Sequence, residues 1–335
     1  DVRPQAHDII RTWLFSTVLR SQLDHDELPW RNAAISGWVL DPDRKKMSKS
    51  KGNVVTPMHL LEEYGADAVR YWAASGRPGT DTAFDPQQMK VGRRLAVKLL
   101  NASKFALADL PAEGESLTSP LDRAMIARLG AVAADATDSF DEYDYARALE
   151  RVERFFWWYC DYYLELVKGR RYESRDGDSG DAAAEQEGQA SVSRALRRSL
   201  SVFQRLLAPF LPFVCEEVWS WWQEGSVHRA SWPSRQESDE ALGDAHVHDA
   251  AVEDMALAVA ADVLKEVRGA KSQAQRPMRA PVSRVVVHDS SERLAALALG
   301  LEDLRSAGSI ETVATIEAEE FAVEVTLADE LPEGP

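Results

Sequence analysis

The chain has 335 residues, 45% of them hydrophobic and 28% charged, which is the composition of a globular protein of two or three domains. Its 55 acidic residues against 39 basic ones leave a net charge of −16, which taken whole argues against a nucleic-acid partner. Two cysteines, Cys160 and Cys215, exclude a disulfide framework and a cysteine-rich zinc site and fit a reducing cytoplasm, and no apolar run reaches the ~20 residues that cross a bilayer. The charge is unevenly placed. Residues 1–110 hold 16 Lys and Arg against 13 Asp and Glu, whereas the remainder holds 23 against 42. A phosphate-rich partner is therefore expected on the first part. The opening residues, Asp1-Val2-Arg3-Pro4, have neither a start Met nor the pattern of a signal peptide, so the chain reads as a fragment.

In chain order, Asp8 to Leu23 reads as an amphipathic helix and Ala33 to Leu40, with Ile35, Trp38 and Val39, as a buried strand ended by the turn Asp41-Pro42-Asp43. Lys45 to Gly52 is a basic loop containing Ser and Gly. Thr56-Pro57 opens a helix, with Thr56 expected as its N-cap, and Ala66 to Ala74 a second. From Pro86 the pattern is helical, with candidates at 86–109, 120–138, 142–168, 190–207 and 209–223. Tyr145, Leu149, Val152, Phe156, Tyr159, Tyr163 and Leu166 recur at helical steps, and the aromatic run Phe155 to Tyr163 reads as bundle core. Arg175 to Gln189 reads as a loop and about 234–249 as an acidic linker holding the pair His246 and His248. The end reads as helix 250–268, strand 282–288, helix 291–301 and strands 310–316 and 320–327. Domain expectations are 1–85, 86–235 and 245–335.

The segment that carries chemistry is Lys46-Met47-Ser48-Lys49-Ser50, followed by Lys51-Gly52-Asn53. Two ammonium groups three residues apart on a Gly-terminated loop can close over a polyphosphate, with Ser hydroxyls and loop amides adding hydrogen bonds. In nucleotidyl transfer, charge builds on the α-phosphate and the departing pyrophosphate, where positioned cations favour the transition state. Taken without context, a solvated basic loop or a nucleic-acid patch is the commoner explanation of such a run. On the helix from Pro86, Lys98, Asn101 and Phe105 fall on one face, and a cation, an amide and an aromatic together suit a single-stranded base. The alternative there is a solvated helix with Phe105 in the core.

The string Lys46 to Ser50 resembles the KMSKS signature of class I aminoacyl-tRNA synthetases. Pro4-Gln5-Ala6-His7-Asp8-Ile9-Ile10-Arg11-Thr12-Trp13, Ser36-Gly37-Trp38-Val39-Leu40-Asp41 and Glu63-Tyr64-Gly65-Ala66-Asp67-Ala68-Val69-Arg70 are similar to the valyl-tRNA synthetase family. So are Leu99 to Phe105, Phe155 to Tyr163 and Pro209-Phe210-Leu211-Pro212-Phe213 with Glu216-Glu217-Val218-Trp219. The resemblance implies an α/β remnant of a class I nucleotide-binding fold, a mainly α anticodon-binding bundle and a small α/β C-terminal domain. The family's first signature, His-x-Gly-His, occurs nowhere in the chain, and the inserted editing domain is missing too. The resemblance therefore implies the C-terminal part of a synthetase, catalytically incomplete by itself. The family usually has Gly where Ala6 stands, and the last residues, Ala328 to Pro335, lack the heptads of the family's coiled-coil arm.

By the same resemblance, Gln5, Ala6 and Asp8 line the ribose of ATP or of the aminoacyl-adenylate, and Ser36, Gly37 and Trp38 approach the adenine. Lys46, Met47, Ser48 and Lys49 meet the phosphates, with Lys46 and Lys49 catalytic, and Trp13 walls the valine pocket. Lys98, Asn101, Lys104 and Phe105 meet the anticodon, and Arg94 adds a phosphate contact. ATP is then a substrate, Mg²⁺ is held through its phosphates rather than by protein ligands, and the partners are valine and valine tRNA. A cytoplasmic monomer without a membrane is expected. The competing readings are a stand-alone tRNA-binding or regulatory paralogue and a piece of the related isoleucyl enzyme. The basic run from Lys265 to Arg284 either touches the tRNA backbone or is a solvated loop.

Overall fold

In the computed structural model, which describes residues 5–108, 117–172 and 182–328 but not the side chains of 182–184 and 243–248, the first helical stretch takes three pitches in succession. A 3₁₀ turn (His7–Ile9) passes into a π turn (Ile10–Leu14) and then into α1 (Phe15–His25). The strand expected over 33–40 shrinks to β1 (Val39–Leu40), paired in parallel with β2 (Thr82–Ala83). It is not buried, since Val39 is 47% exposed. An apolar run says that a segment prefers a pleated surface, but not how many neighbours will cover it.

Between these strands lie α2 (Met58–Tyr64) and α3 (Ala66–Ala74). Pro57, rather than Thr56, occupies the cap position of α2, and no side chain caps that helix. Gly65 breaks the path between α2 and α3 at φ +88°, a backbone that side-chain-bearing residues adopt only with strain. Leu60, Ala68 and Met89 form the local core, with Val55, Tyr64, Val69, Trp72 and Phe84 against it.

The remaining helices are α4 (Pro86–Leu107), α5 (Pro120–Asp141), α6 (Tyr145–Trp158), α7 (Leu164–Leu166), α8 (Lys168–Tyr172), α9 (Ala182–Leu207), α10 (Pro212–Trp219) and α11 (Arg235–Gln273). A π turn at Tyr159–Tyr163 joins α6 to α7. The protein is thus mainly helical, as the fold class requires.

Two expected loops are helix instead. The described part of the 175–189 segment is helical from Ala182, and the 234–249 linker is the first third of α11. The signal for α11 is present in the sequence: Ser234-Arg235-Gln236-Glu237 is a capping-box pattern, and the Ser234 hydroxyl accepts the Glu237 amide at 3.2 Å. Acidic composition hid it. His246 and His248 lie on this helix, with side chains outside the described residues.

The chain divides into two compact units. One is 1–101, 134–153 and 204–232, and the other 102–133, 154–203 and 233–335. In the first, the Asp67 carboxylate accepts the Phe213 and Val214 amides at the start of α10, where a helix N-terminus favours negative charge. Tyr71 donates to Glu153 at 2.6 Å, and the Cα of Gly92 lies flush against the Tyr71 ring. In the second, Phe203 meets Phe156 edge-on at 5.1 Å and Tyr159 at 5.0 Å. Of the aromatic run, Phe156, Tyr159 and Tyr163 are core, whereas Phe155, Trp157, Trp158 and Tyr162 are only half-buried. Cys160 and Cys215 are both buried, and neither is in a disulfide among the described residues.

A buried polar network also sits in the second unit. Asp122, fully buried, accepts from Tyr163 at 2.8 Å, from Ser191 at 2.7 Å and from both terminal nitrogens of Arg170, whose Nε donates to Asp303 at 2.7 Å. Burial alone would lower the Arg170 pKa, but the carboxylates of Asp122 and Asp303 reverse that and hold it well up.

The C-terminal part is a three-stranded sheet in the order β4-β3-β5: β3 (Val282–Asp289), β4 (Ile310–Glu317) and β5 (Ala322–Leu327). β3 pairs in parallel with β4 and antiparallel to β5. Helices α12 (Ser291–Leu297) and α13 (Leu301–Gly308) make the β3-to-β4 crossover. Among the described residues no helix is long and apolar enough to cross a membrane.

Candidate functional site: a basic loop and its neighbours

The basic loop is built on the end of β1. The Asp41 amide donates to the Lys45 carbonyl at 2.9 Å, and Leu40 bridges Lys46, so the chain reverses tightly and returns alongside itself. The Asp41 side chain then does what the turn cannot. Its Oδ1 accepts the Lys45 amide at 2.8 Å, and its Oδ2 accepts the Asn53 side-chain amide at 2.7 Å. Asn53 also donates to the Lys46 carbonyl at 3.2 Å and accepts the Ser48 amide at 2.9 Å. Beyond Ser48 the tip is a 3₁₀ turn (Lys49–Lys51) closed by Gly52 at φ +70°. Lys49 is exposed there and, among the described residues, makes no ion pair. The Lys45 amide, followed by the Asn53 side chain, holds the Asp41 carboxyl below the usual carboxylate range.

Lys46 points differently from Lys49. Its ammonium is 3.4 Å from Asp8 and 4.0 Å from the centre of the Trp38 ring, whose other neighbour is the His7 ring at 4.2 Å. The segment that carries Asp8 is tied to the stretch of chain that carries Trp38 and leads into β1. Ser36 donates to the Gln5 carbonyl through both its amide, at 3.1 Å, and its hydroxyl, at 2.9 Å, and Ala6 bridges Ser36 in parallel. Asp8 caps no helix, since no side chain caps the turns beginning at His7 and Ile10. Gly37 has a plain structural reason to be Gly: a Cβ there would lie 2.1 Å from the Thr80 carbonyl oxygen. The Trp38 amide donates to Asp81 at 2.8 Å, while the buried Trp38 Nε1 has no hydrogen-bond partner among the described residues. The structure therefore brings together Gln5, Ala6, Asp8, Ser36, Gly37, Trp38, Lys46, Met47 and Ser48, with Lys49 at the loop's tip.

Trp13 lies on the π turn that precedes α1. It stacks on Trp30 at 5.8 Å beside an open groove of about 880 Å³ that Arg11, Thr12 and Arg20 also line. Lys98, Asn101, Lys104 and Phe105 are all on α4, with Asn101 and Lys104 exposed. Phe105 is half-buried: its ring meets Tyr172 edge-on at 6.0 Å and lies 5.3 Å under the Arg171 guanidinium. In the 265–284 run, Lys271 is buried, and its ammonium donates to the Met278 and Gly308 carbonyls at 2.8 Å each. Burial and the nearby Arg268 push its pKa down. Arg268 donates to the Asp161 carbonyl, so these two cations serve the fold, whereas Lys265, Arg279 and Arg284 are exposed.

Sequence reasoning missed Asp41, Asn53, His7 and Asp81. The first two carried a signal, a turn Asp and a post-Gly Asn flanking a loop, which are residues that hydrogen-bond local backbone. His7 and Asp81 reach Trp38 from segments whose approach no local pattern announces.

Residues 1–85 match the family of class I tRNA synthetases (I, L, M and V), and residues 122–287 match the anticodon-binding domain of tRNA ligases. The chain belongs to the class I aminoacyl-tRNA synthetases. Within that class its similarity is to valine–tRNA ligases. It is 58% identical to the one from Thermobifida fusca over 98% of this chain and 36% of that protein. It is 56% identical to that of Salinispora arenicola over 98% and 39%, and 51% identical to that of Leifsonia xyli over 99% and 37%. The chain thus spans less than two-fifths of the length of these relatives.

Proposed function

We propose that this chain supplies the phosphate loop, part of the adenylate and valine sites and the anticodon-reading helices of a valine–tRNA ligase. The complete reaction has two steps. A valine carboxylate oxygen attacks the α-phosphorus of ATP, the bond to the β-phosphate breaks, and pyrophosphate leaves. A terminal ribose hydroxyl of valine tRNA then attacks the acyl carbon, and AMP leaves. The valine carboxylate is already a nucleophile, so no side chain is needed as a base, and catalysis is positioning and charge stabilisation. Mg²⁺, held through the ATP phosphates, would neutralise part of their charge.

In this reading Lys49 and Lys46 meet the phosphates, Gln5, Ala6 and Asp8 the ribose, and Ser36, Gly37 and Trp38 the adenine edge, with Met47 and Ser48 completing the loop. Trp13 walls the valine pocket, and Lys98, Asn101, Lys104 and Phe105 face the anticodon. Residues 1–85 form the second half of the catalytic domain, 86–235 the anticodon-binding domain and 245–335 a small α/β domain.

The observation that carries the reading is the gathering of Lys46, Asp8 and Trp38 within 4.0 Å contacts, with Lys49 exposed on the same rigidly framed loop. A pure tRNA-binding paralogue has no use for that arrangement. The test is valine-dependent exchange of pyrophosphate into ATP. The complete polypeptide carrying this segment is expected to catalyse it, and residues 1–335 alone are not, because they contain no His-x-Gly-His string. Exchange by the isolated segment, or none by the complete polypeptide, overturns the proposal.

A further inference from the structure

Asp41 has no part in the roles above, yet it is the most enclosed carboxylate near the loop, at 6% exposure. A carboxylate removed from water is costly unless its oxygens are paired, and here each has one donor: Lys45 N at 2.8 Å and Asn53 Nδ2 at 2.7 Å. The second bond decides which way the Asn53 amide faces. An ionised carboxylate only accepts, so the NH₂ of Asn53 must point to Asp41, and its oxygen is left for the Ser48 amide at 2.9 Å. The same NH₂ reaches the Lys46 carbonyl at 3.2 Å. If the amide turned over, its NH₂ would face the Ser48 N–H and its oxygen the Lys46 carbonyl, and both bonds would be lost.

We infer that Asp41 is a positioning residue for the loop: by fixing the orientation of Asn53 it sets the backbone at Lys46 and Ser48, and with it the reach of the Lys46 and Lys49 ammonium groups toward the phosphates. This inference rests on the proposed reaction and adds a residue to it. Asp41 touches no substrate atom, and its effect passes through Asn53. Because its carboxyl is held below the usual range, it keeps its acceptor character throughout the neutral range.

The test exploits the pair's reciprocity in the complete polypeptide. Asp41→Asn removes the acceptor-only partner, and Asn53→Asp sets two carboxylates face to face. The double variant Asp41→Asn with Asn53→Asp restores the Lys45, cross-loop and Ser48 bonds with the roles exchanged, but sets a carboxylate oxygen against the Lys46 carbonyl where the Asn53 amide had donated. Each single variant is expected to lower kcat/KM for ATP in pyrophosphate exchange by about tenfold to a hundredfold, as for a misplaced catalytic group. Valine tRNA affinity should be unchanged, and the double variant should recover part of the loss. Wild-type rates in Asp41→Asn, or a double variant no better than the worse single one, overturns the inference. A wild-type protein without valine-dependent exchange sinks the proposed reaction instead. The hold of Asp41 is then read from hydrogen exchange at the Lys45 and Ser48 amides, where unchanged protection in Asp41→Asn overturns it.

Discussion

The Lys46 ammonium rests 3.4 Å from the Asp8 carboxylate, across 38 residues of chain, with the Trp38 ring on its other side. Both partners are nearly half exposed, at 44% and 48% of their side chains. Such a pair contributes at most about 1 kcal/mol to folding. Its meaning is therefore positional, since it joins the loop to the segment assigned to the ribose. Asp8→Asn is expected to leave the unfolding free energy within about 1 kcal/mol of wild type. It should nevertheless raise the KM for ATP about tenfold, the worth of a lost charge-assisted hydrogen bond. Chemical denaturation and exchange kinetics on the same preparation separate the two. A stability loss without a KM change would make Asp8 a structural residue only.

Lys49 presents the opposite case, exposed at the tip of a turn that Gly52 and the Asn53 bonds hold in shape. In the proposed reaction a cation poised there acts on charge that develops only in the transition state. Lys49→Ala is expected to slow valyl-adenylate formation at least ~100-fold, with little change in tRNA affinity. Single-turnover adenylate formation measures it, and a near wild-type rate rejects the assignment.

How much of this was legible in the sequence depends on whether the deciding contact was local. Helix α4, the aromatic core at Phe156 and Tyr159, and strands β3, β4 and β5 follow from periodicity, because burial of one face is written at fixed spacing. The first third of α11 was hidden because its Ser234 cap speaks through two residues while the acidic composition speaks through many. The shortness of β1 was not legible, since strand length depends on the neighbours it finds. At the site, Lys46 and Lys49 were readable from the motif. The Asp41–Asn53 clamp required knowing that the chain returns on itself within hydrogen-bonding distance. The Asp122 network joins residues from four α-helices and the π turn at Tyr159–Tyr163 and left no pattern in the sequence.

That network supplies a prediction about stability alone. Asp122→Ala strips Tyr163, Ser191 and Arg170 of a common acceptor inside the fold. Removing one side of a buried ion pair typically costs about 3–5 kcal/mol. Urea denaturation of Asp122→Ala is expected to show a loss of that size, partly recovered when Arg170→Leu is added, because the orphaned cation goes with it. Strict additivity of the two substitutions would show that the pair is uncoupled.

Asp41 also makes a pH prediction. Its folded pKa is depressed, so the stability it gives is fully present above the ordinary Asp value of about 3.9 and is lost as pH falls below that toward the folded value. Between pH 5 and pH 9, roughly, no transition from this group is expected. A carboxyl carbon shift of Asp41 titrating below about 3.9 by NMR agrees with this. A midpoint above that value would mean that desolvation outweighs the Lys45 and Asn53 hydrogen bonds.

Phe105 is where packing and recognition compete, and a choice of substitution separates them. Its ring is held by Tyr172 and the Arg171 guanidinium, so Phe105→Ala removes core contacts along with any platform for a base. Phe105→Leu keeps most of the apolar volume and loses the aromatic face. If α4 reads the anticodon through this face, Phe105→Leu should weaken valine tRNA by about 1–3 kcal/mol, the worth of one stacked base, and leave non-cognate tRNA nearly unchanged. Lys104, exposed on the same helix, carries charge without base information. Lys104→Ala should therefore weaken both tRNAs alike and flatten the salt dependence of binding. The acidic remainder of the chain, 42 acids against 23 basic residues after Leu110, makes phosphate contacts scarce, so the loss of one cation should be visible. Equal losses for cognate and non-cognate tRNA with Phe105→Leu, at unchanged circular dichroism, would place Phe105 wholly in the core.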